Sequence, residues 1–366
     1  MLQLYSHNRF PDCLRLDLTP HSLEADSSPS QLYLSLKFDE QWQPLGQGRV
    51  KFGLKGGQLH LNFDDKAIQL SDRPSHFQAT LVSPNDPTSP TLIIHSDEAA
   101  KPTWMLSLQG SQPILQGHLE PLHLATVQPS TPLDDFTVSF RVRSHQVMVT
   151  DAENLWKHDV SPNQHAILER LVVFALMPHY FAEPLSRVTL SPTPPANPSP
   201  SPTADFTQLQ KQIDQISQAK NASFLELAAL GNLDPKTDLA GGNLRGVICD
   251  EINLSGANLS HTNFRGAELC DGDLSEANLY STNLRGADLS GAYLENTNLS
   301  YSDLQRASLA LANLADADLR GANLQGANLS QANLSHAQVE GAQFGDNAGL
   351  TDSLKASLQE RGASFS

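Results

Sequence analysis

The chain has 366 residues and a formal net charge of −16, from 40 Asp and Glu against 24 Lys and Arg. The length exceeds one ordinary hydrophobic core and implies two or three domains, while the acidic balance argues against a general nucleic-acid binder, which would offer positive charge to phosphates. Three cysteines (Cys13, Cys249, Cys270) make no disulfide framework. The N-terminus MLQLYSHNRF lacks a basic segment followed by an apolar one, and no run approaches the roughly 18 apolar residues of a membrane span, so a soluble cytoplasmic protein is expected.

Residues 1–188 read as a β-rich N-terminal domain. Leu32, Leu34, Leu36 and Phe38 alternate with Tyr33, Ser35 and Lys37, and Leu59, Leu61 and Phe63 alternate with His60 and Asn62. Further strands are expected within 77–82, 91–95, 104–108, 118–124 and 136–142, separated by turn clusters such as Lys55-Gly56-Gly57 and the segment 83–87. Many short strands with polar turns indicate an antiparallel sandwich or barrel. One helix follows: Ser161 suits the N-cap and Pro162 the first turn. Ile167, Leu168, Leu171, Val172, Phe174, Ala175 and Leu176 cover most of its circumference, so it is expected to pack on the sheets, with Pro178 ending it.

The segment 189–204, TLSPTPPANPSPSPTA, reads as a semi-stiff linker that favours extended backbone. In 205–231, Phe206, Leu209, Ile213 and Ile216 fall on one helical face, and a second short helix is expected over 223–230.

From Asp238 onward the sequence repeats every five residues. Centres run from Leu239 to Phe344 in 22 units without insertion, and 18 of them are Leu; Cys249, Phe264, Val339 and Phe344 are the exceptions. A small residue, usually Ala, sits two positions before each centre. A helix would rotate successive centres by roughly 140° beyond one turn and form no stripe, and in a continuous strand an odd period would alternate their faces. A short extended piece followed by a turn satisfies the pattern, and four such units close a square coil of about twenty residues that stacks at about 4.8 Å per coil. The fold expected for 232–346 is a right-handed quadrilateral β-helix with Leu and small residues filling its interior.

These units, such as ANLSH, TNFRG and ADLSG, resemble the pentapeptide-repeat family, whose motif is A(D/N)LXX. The resemblance covers about 110 residues and implies the same square solenoid, with no catalytic chemistry in the repeats. Solenoid ends expose unpaired edges, so caps are expected from 205–231 and from a helix within 347–366, with Thr351 as N-cap and Gly362 as C-cap. The competing role for that last helix is homodimerisation.

Residues twenty apart share a face. Arg245, Arg265 and Arg285 therefore form one stripe, followed by the bare corner Gly246, Gly266 and Gly286, while acids gather on the other faces. The stripe is the candidate binding site for a protein partner; the alternative is a solvated face whose guanidiniums pair with neighbouring carboxylates. Some members of the family resemble B-form DNA and inhibit DNA gyrase, a type II topoisomerase, which gives a second functional reading. An enzyme or ligand site in the unrecognised N-terminal domain is a third. No cofactor, metal or catalytic residue is assigned. His118 and His123 flank Glu120 and Pro121 on strand-like sequence, unlike a helical zinc motif, and His165 and Glu169 form a one-turn pair without a third ligand. The expectation is a non-enzymatic scaffold.

Overall fold

The structure, a computed structural model, describes residues 3–21, 30–62, 68–71, 76–82, 91–96, 103–109, 114–129, 136–157, 159–191, 194–195 and 206–365. It divides into two compact units. One holds residues 1–153 and 175–205; the other holds 154–174 and 206–366.

Fourteen strands build the described part of the first unit: β1 (Gln3–Asn8), β2 (Leu14–His21), β3 (Ser30–Phe38), β4 (Gln41–Leu45), β5 (Gly48–Leu54), β6 (Gly56–Asn62), β7 (Ile68–Ser71), β8 (His76–Val82), β9 (Thr91–Ser96), β10 (Thr103–Gln109), β11 (Gly117–Pro129), β12 (Phe136–Arg141), β13 (Val147–Glu153) and β14 (Ser186–Ser191). The main sheet is antiparallel and runs β1-β14-β12-β6-β10-β9-β8-β11-β3-β2, with β7 also on β11. Its two end strands meet: Asn8 in β1 accepts from Leu16 N–H of β2 and from the Ser186 hydroxyl of β14. The sheet is thus barrel-like. Period-two alternation supplies its interior, and Leu34, Leu36, Leu59, Leu106, Val138, Phe140 and Val188 are all buried.

A second sheet, β13-β5-β4, carries Phe52, which packs edge-on to Phe10 (5.5 Å) and Phe181 (5.3 Å). The expected turn at Lys55-Gly56-Gly57 is a switch between sheets instead, because β6 begins at Gly56. Glycine is needed there for close approach. A Cβ on Gly57 would lie 2.1 Å from the Phe140 ring, and one on Gly56 would lie 2.3 Å from Leu106 O. Of the expected linker 189–204, Thr189–Ser191 are strand residues of β14; the remainder, apart from 194 and 195, lies outside the described residues, as do the expected turn at 83–87 and Phe63.

Helix α1 (Pro162–Leu176) starts as its sequence indicates, with Gln164 N–H donating to Ser161 Oγ (3.2 Å) and Ser161 N–H to Gln164 Oε1 (2.8 Å). Its α-helical turns stop before Pro178, and a π-helical turn, Met177–Phe181, continues the chain. The expectation that α1 belongs to the β-rich N-terminal domain 1–188 is corrected: through Phe174 it belongs to the second unit. Its polar groups explain why. Gln164 Nε2 donates to Ile216 O (2.8 Å), and Asn163 both donates to Ile248 O and accepts from Ile248 N–H at 2.8 Å. Arg170, only 2% exposed, donates from Nε to Asp238 O (2.8 Å) with its guanidinium 5.0 Å from the Phe174 ring. Burial lowers the Arg170 pKa to about 10.

Helices α2 (Thr207–Gln218) and α3 (Phe224–Leu230) bury Leu209, Ile213 and Ile216 and Phe224, Leu227 and Ala228. Ser223 and Glu226 form a reciprocal capping box on α3. The repeats then stack as a β-solenoid. Parallel bridges join residue i to i+20 from Asn243–Asn263 to Asn328–Ala348. The centre N–H groups donate to the next coil, as Leu254 N to Asp273 O (2.7 Å) and Leu299 N to Asp318 O (2.8 Å). All 22 centres are buried, as are most of the small residues two positions earlier. Thr262, Thr282 and Thr297 take that small position by returning their hydroxyls to Leu239 O, Leu259 O and Leu274 O at 2.8–3.1 Å.

At the far end, α4 (Asp352–Glu360) is capped by Thr351, whose hydroxyl accepts from Leu354 N–H. Gly362, at φ +90°, ends it, with Ala363 N–H bonded to Leu358 O (3.0 Å). The tail then joins the last coil: Phe344 pairs with Phe365, whose ring stacks on it at 5.2 Å, and Arg361 donates to Ala337 O (3.0 Å).

Candidate functional site

Each repeat unit must turn a corner at its fifth residue. Those residues adopt positive φ, which favours Gly, and Gly246, Gly266 and Gly286 all stand near +65°. A Cβ at any of the three would meet nothing within 4 Å, so the corner beside them is open. Just before it, Arg245, Arg265 and Arg285 project from successive coils. Their backbones are fixed: Gly246 N–H donates to Arg265 O and Gly266 N–H to Arg285 O at 3.1 Å, while Arg265 and Arg285 N–H donate to Asn263 and Asn283 Oδ1.

The stripe lies where its spacing places it. Arg245 and Arg265 are exposed and Arg285 is half-buried. Among the described residues, no ion pair within 4.0 Å involves any of the three. Arg320, on another face, takes the opposite course: it grips Asp318 through Nη2 (2.6 Å) and Nε (2.9 Å) and holds that carboxyl below its ordinary pKa. The Arg285 guanidinium instead donates to Gln305 Oε1, and Gln305 Nε2 donates to Gln325 Oε1 (3.3 Å), so an amide ladder extends the stripe.

One arginine beside this corner was missed in the sequence. Arg306 stands on the corner column of Gly246, Gly266 and Gly286 at φ +58°. With Arg285, Gln305, Gln325, Gly326, Gly345 and Asp346 it lines an open polar groove of about 480 Å³. Four of the six Lys and Arg of residues 232–346 thus share one corner, in a segment with 15 acids. The signal was the twenty-residue column, which puts Arg306 above Gly286.

The other sequence candidates are local contacts. His165 Nε2 lies 2.8 Å from Glu169 Oε1, and His118 lies 3.4 Å from an exposed Glu120. His123 faces Thr126 and the Tyr33 ring. No group of three or more metal-type ligands occurs among the described residues. Cys249 is buried and Cys270 half-buried, and both are free thiols. A second surface feature was not anticipated: His261, Tyr280 and Tyr301 form an edge-to-face ring ladder at 5.4 and 5.8 Å.

The family model described as pentapeptide repeats matches residues 236–269, 273–310 and 312–346 in eight copies. The C-terminal third of the chain therefore consists of pentapeptide repeats; the N-terminal region matches no family. Among solved structures, a pentapeptide repeat protein from the Arabidopsis thaliana thylakoid lumen is 32% identical over 30% of this chain and 80% of that one, with a TM-score of 0.20. Rfr23, from the cyanobacterium Cyanothece 51142, is 29% identical over 29% and 86%, with a TM-score of 0.20. QnrB1, a plasmid-mediated fluoroquinolone resistance protein, is 16% identical over 36% and 87%, with a TM-score of 0.19. No curated protein matches the chain.

Proposed function

We propose that residues 232–346 form a right-handed, four-sided solenoid acting as a stiff, non-enzymatic surface for protein–protein contacts, with Arg245, Arg265 and Arg285 at the contact. The observation that carries this reading is the set of three arginines stacked on a hydrogen-bonded backbone frame beside an open corner, with no carboxylate within 4.0 Å of them among the described residues. Four bridge columns per twenty residues support the four-sided form. The bonds of Asn163, Gln164 and Arg170 at the first coils, and of Arg361 and Phe365 at the last, support capped ends. Leu358 of α4 is fully buried, which favours capping over a homodimer through that helix.

The test is affinity capture with the full chain and with a variant carrying Arg245→Ser, Arg265→Ser and Arg285→Ser. A partner held by the first and lost by the second is expected; identical capture by both would refute the assignment. The 15 acids against six bases of the segment favour a second reading, inhibition of gyrase by mimicry of DNA. A supercoiling assay separates the two, because mimicry is expected to improve when the Arg residues are removed.

A further inference from the structure

We propose that the Arg corner receives the acidic face of an α-helix from a partner protein, lying along the solenoid axis. The inference rests on the protein-contact reading above and adds the shape of the partner. Its basis is spacing. The Arg columns follow the coils, whose backbones pair i to i+20, so neighbouring guanidinium stems are set about 4.8 Å apart and Arg245 and Arg285 about 9.6 Å.

A helix carrying acids at i, i+4 and i+7 spans about 10.5 Å on one face, at 1.5 Å per residue. An extended strand presents three same-face side chains over about 13 Å and falls out of step after one contact. The corner also leaves room for a rod laid along it. The three glycines leave a strip in which a Cβ would meet nothing within 4 Å, and Arg306 extends the positive charge one coil further into the groove beside Arg285. The Arg285–Gln305–Gln325 ladder fixes one guanidinium before any partner arrives, reducing the side-chain ordering that binding requires.

The site should be salt-sensitive because its charges face water. The probe is a fluorescein-labelled, Ala-rich helical peptide with Glu at i, i+4 and i+7, titrated into the full chain by fluorescence anisotropy at low and high salt. Binding is expected at low salt, weakened about fivefold or more by R265Q with R285Q, in line with one exposed and one half-buried charge pair. R320Q, which removes the cation already bound to Asp318, should leave it unchanged; circular dichroism confirms that each variant is folded. Equal binding of a same-charge peptide broken by two prolines, tighter binding of a single-stranded oligonucleotide of matched charge, or no binding of the helical peptide would each overturn the proposal. If the peptide fails while Arg-dependent capture of a folded partner persists, this inference falls alone; if both fail, the protein-contact reading falls with it.

Discussion

The solenoid interior can be tested by comparing two leucines whose environments are opposed. Leu299 is a repeat centre with no exposed surface, stacked between Leu279 and Leu319, which are equally enclosed. Leu311 occupies a corner, is 63% exposed and sits at φ +63°. Leu299→Ala removes buried methyl groups from a stack held by coil-to-coil bonds, so the wall can relax only partly. The expected cost is about 2.7–5.0 kcal/mol, the range for buried Leu→Ala changes. Leu311→Ala should stay within about 0.5 kcal/mol, since its side chain faces water. Because each coil touches only its neighbours, the damage should be read locally. Hydrogen exchange of the full chain does so: the Leu279 and Leu299 amides, bonded to Asn298 O and Asp318 O, should exchange roughly 100- to 5,000-fold faster in Leu299→Ala. They should barely change in Leu311→Ala. A cost under about 1 kcal/mol for Leu299→Ala, or equal costs for both variants, would refute the dry, filled interior.

Two further outcomes follow from ionisable groups. The hydrogen bond to Glu169 raises the His165 pKa above 6.5 against the opposing effect of burial. Its contribution is fully present below the unfolded pKa and is lost as pH rises through the folded value. Thermal denaturation should therefore show a decline in stability above pH 6.5 that His165→Gln abolishes, of about 0.2–1 kcal/mol because the imidazole is partly exposed; an unaltered pH profile in the variant would disprove the coupling. For the thiols, burial pushes Cys249 up to about 12 and raises Cys13 further, whereas half-exposed Cys270 stands at about 11 through desolvation and Asp288. A disulfide-exchange reagent at pH 8 should label Cys270 slowly in the native protein and the other two only after unfolding. Native labelling of Cys249 would contradict its inward placement.

The repeats were legible because each five-residue unit states its own geometry: an inward centre, a small neighbour and a corner residue. In the first unit, β3, β6 and β8–β12 announced themselves by alternation. β5 did not, although Val50, Phe52 and Leu54 alternate as cleanly, because Gly56 and Gly57 just after it read as a turn and instead serve close packing. β1 has no fully buried residue and so carries no apolar signal. β14 buries Ser186, Thr189 and Ser191 beside its apolar residues, with Thr189 bonded to Thr137, and its polar composition resembled the segment that follows. The location of α1 was not readable either. Apolar residues around its circumference showed that it is buried but not where, and the bonds that decide it join positions 52 to 85 residues apart. The Arg column was visible in the spacing; the lack of an ion pair within 4.0 Å among the described residues and the bond from Arg285 to Gln305 depend on side-chain positions that spacing does not fix.

The path of the backbone sets a rule for engineering. The chain leaves the first unit after Glu153, gives residues 154–174 to the second, returns at Ala175 to lay down β14 between β1 and β12, and departs again after 205. A transplant of the repeat cassette cut at 206 would leave behind Arg170, Asn163 and Gln164. A fragment stopped at Glu153 would lack the strand that joins the barrel-like sheet to its own first strand. The two halves are laced rather than spliced, and a graft that keeps either one whole must carry the segment in between.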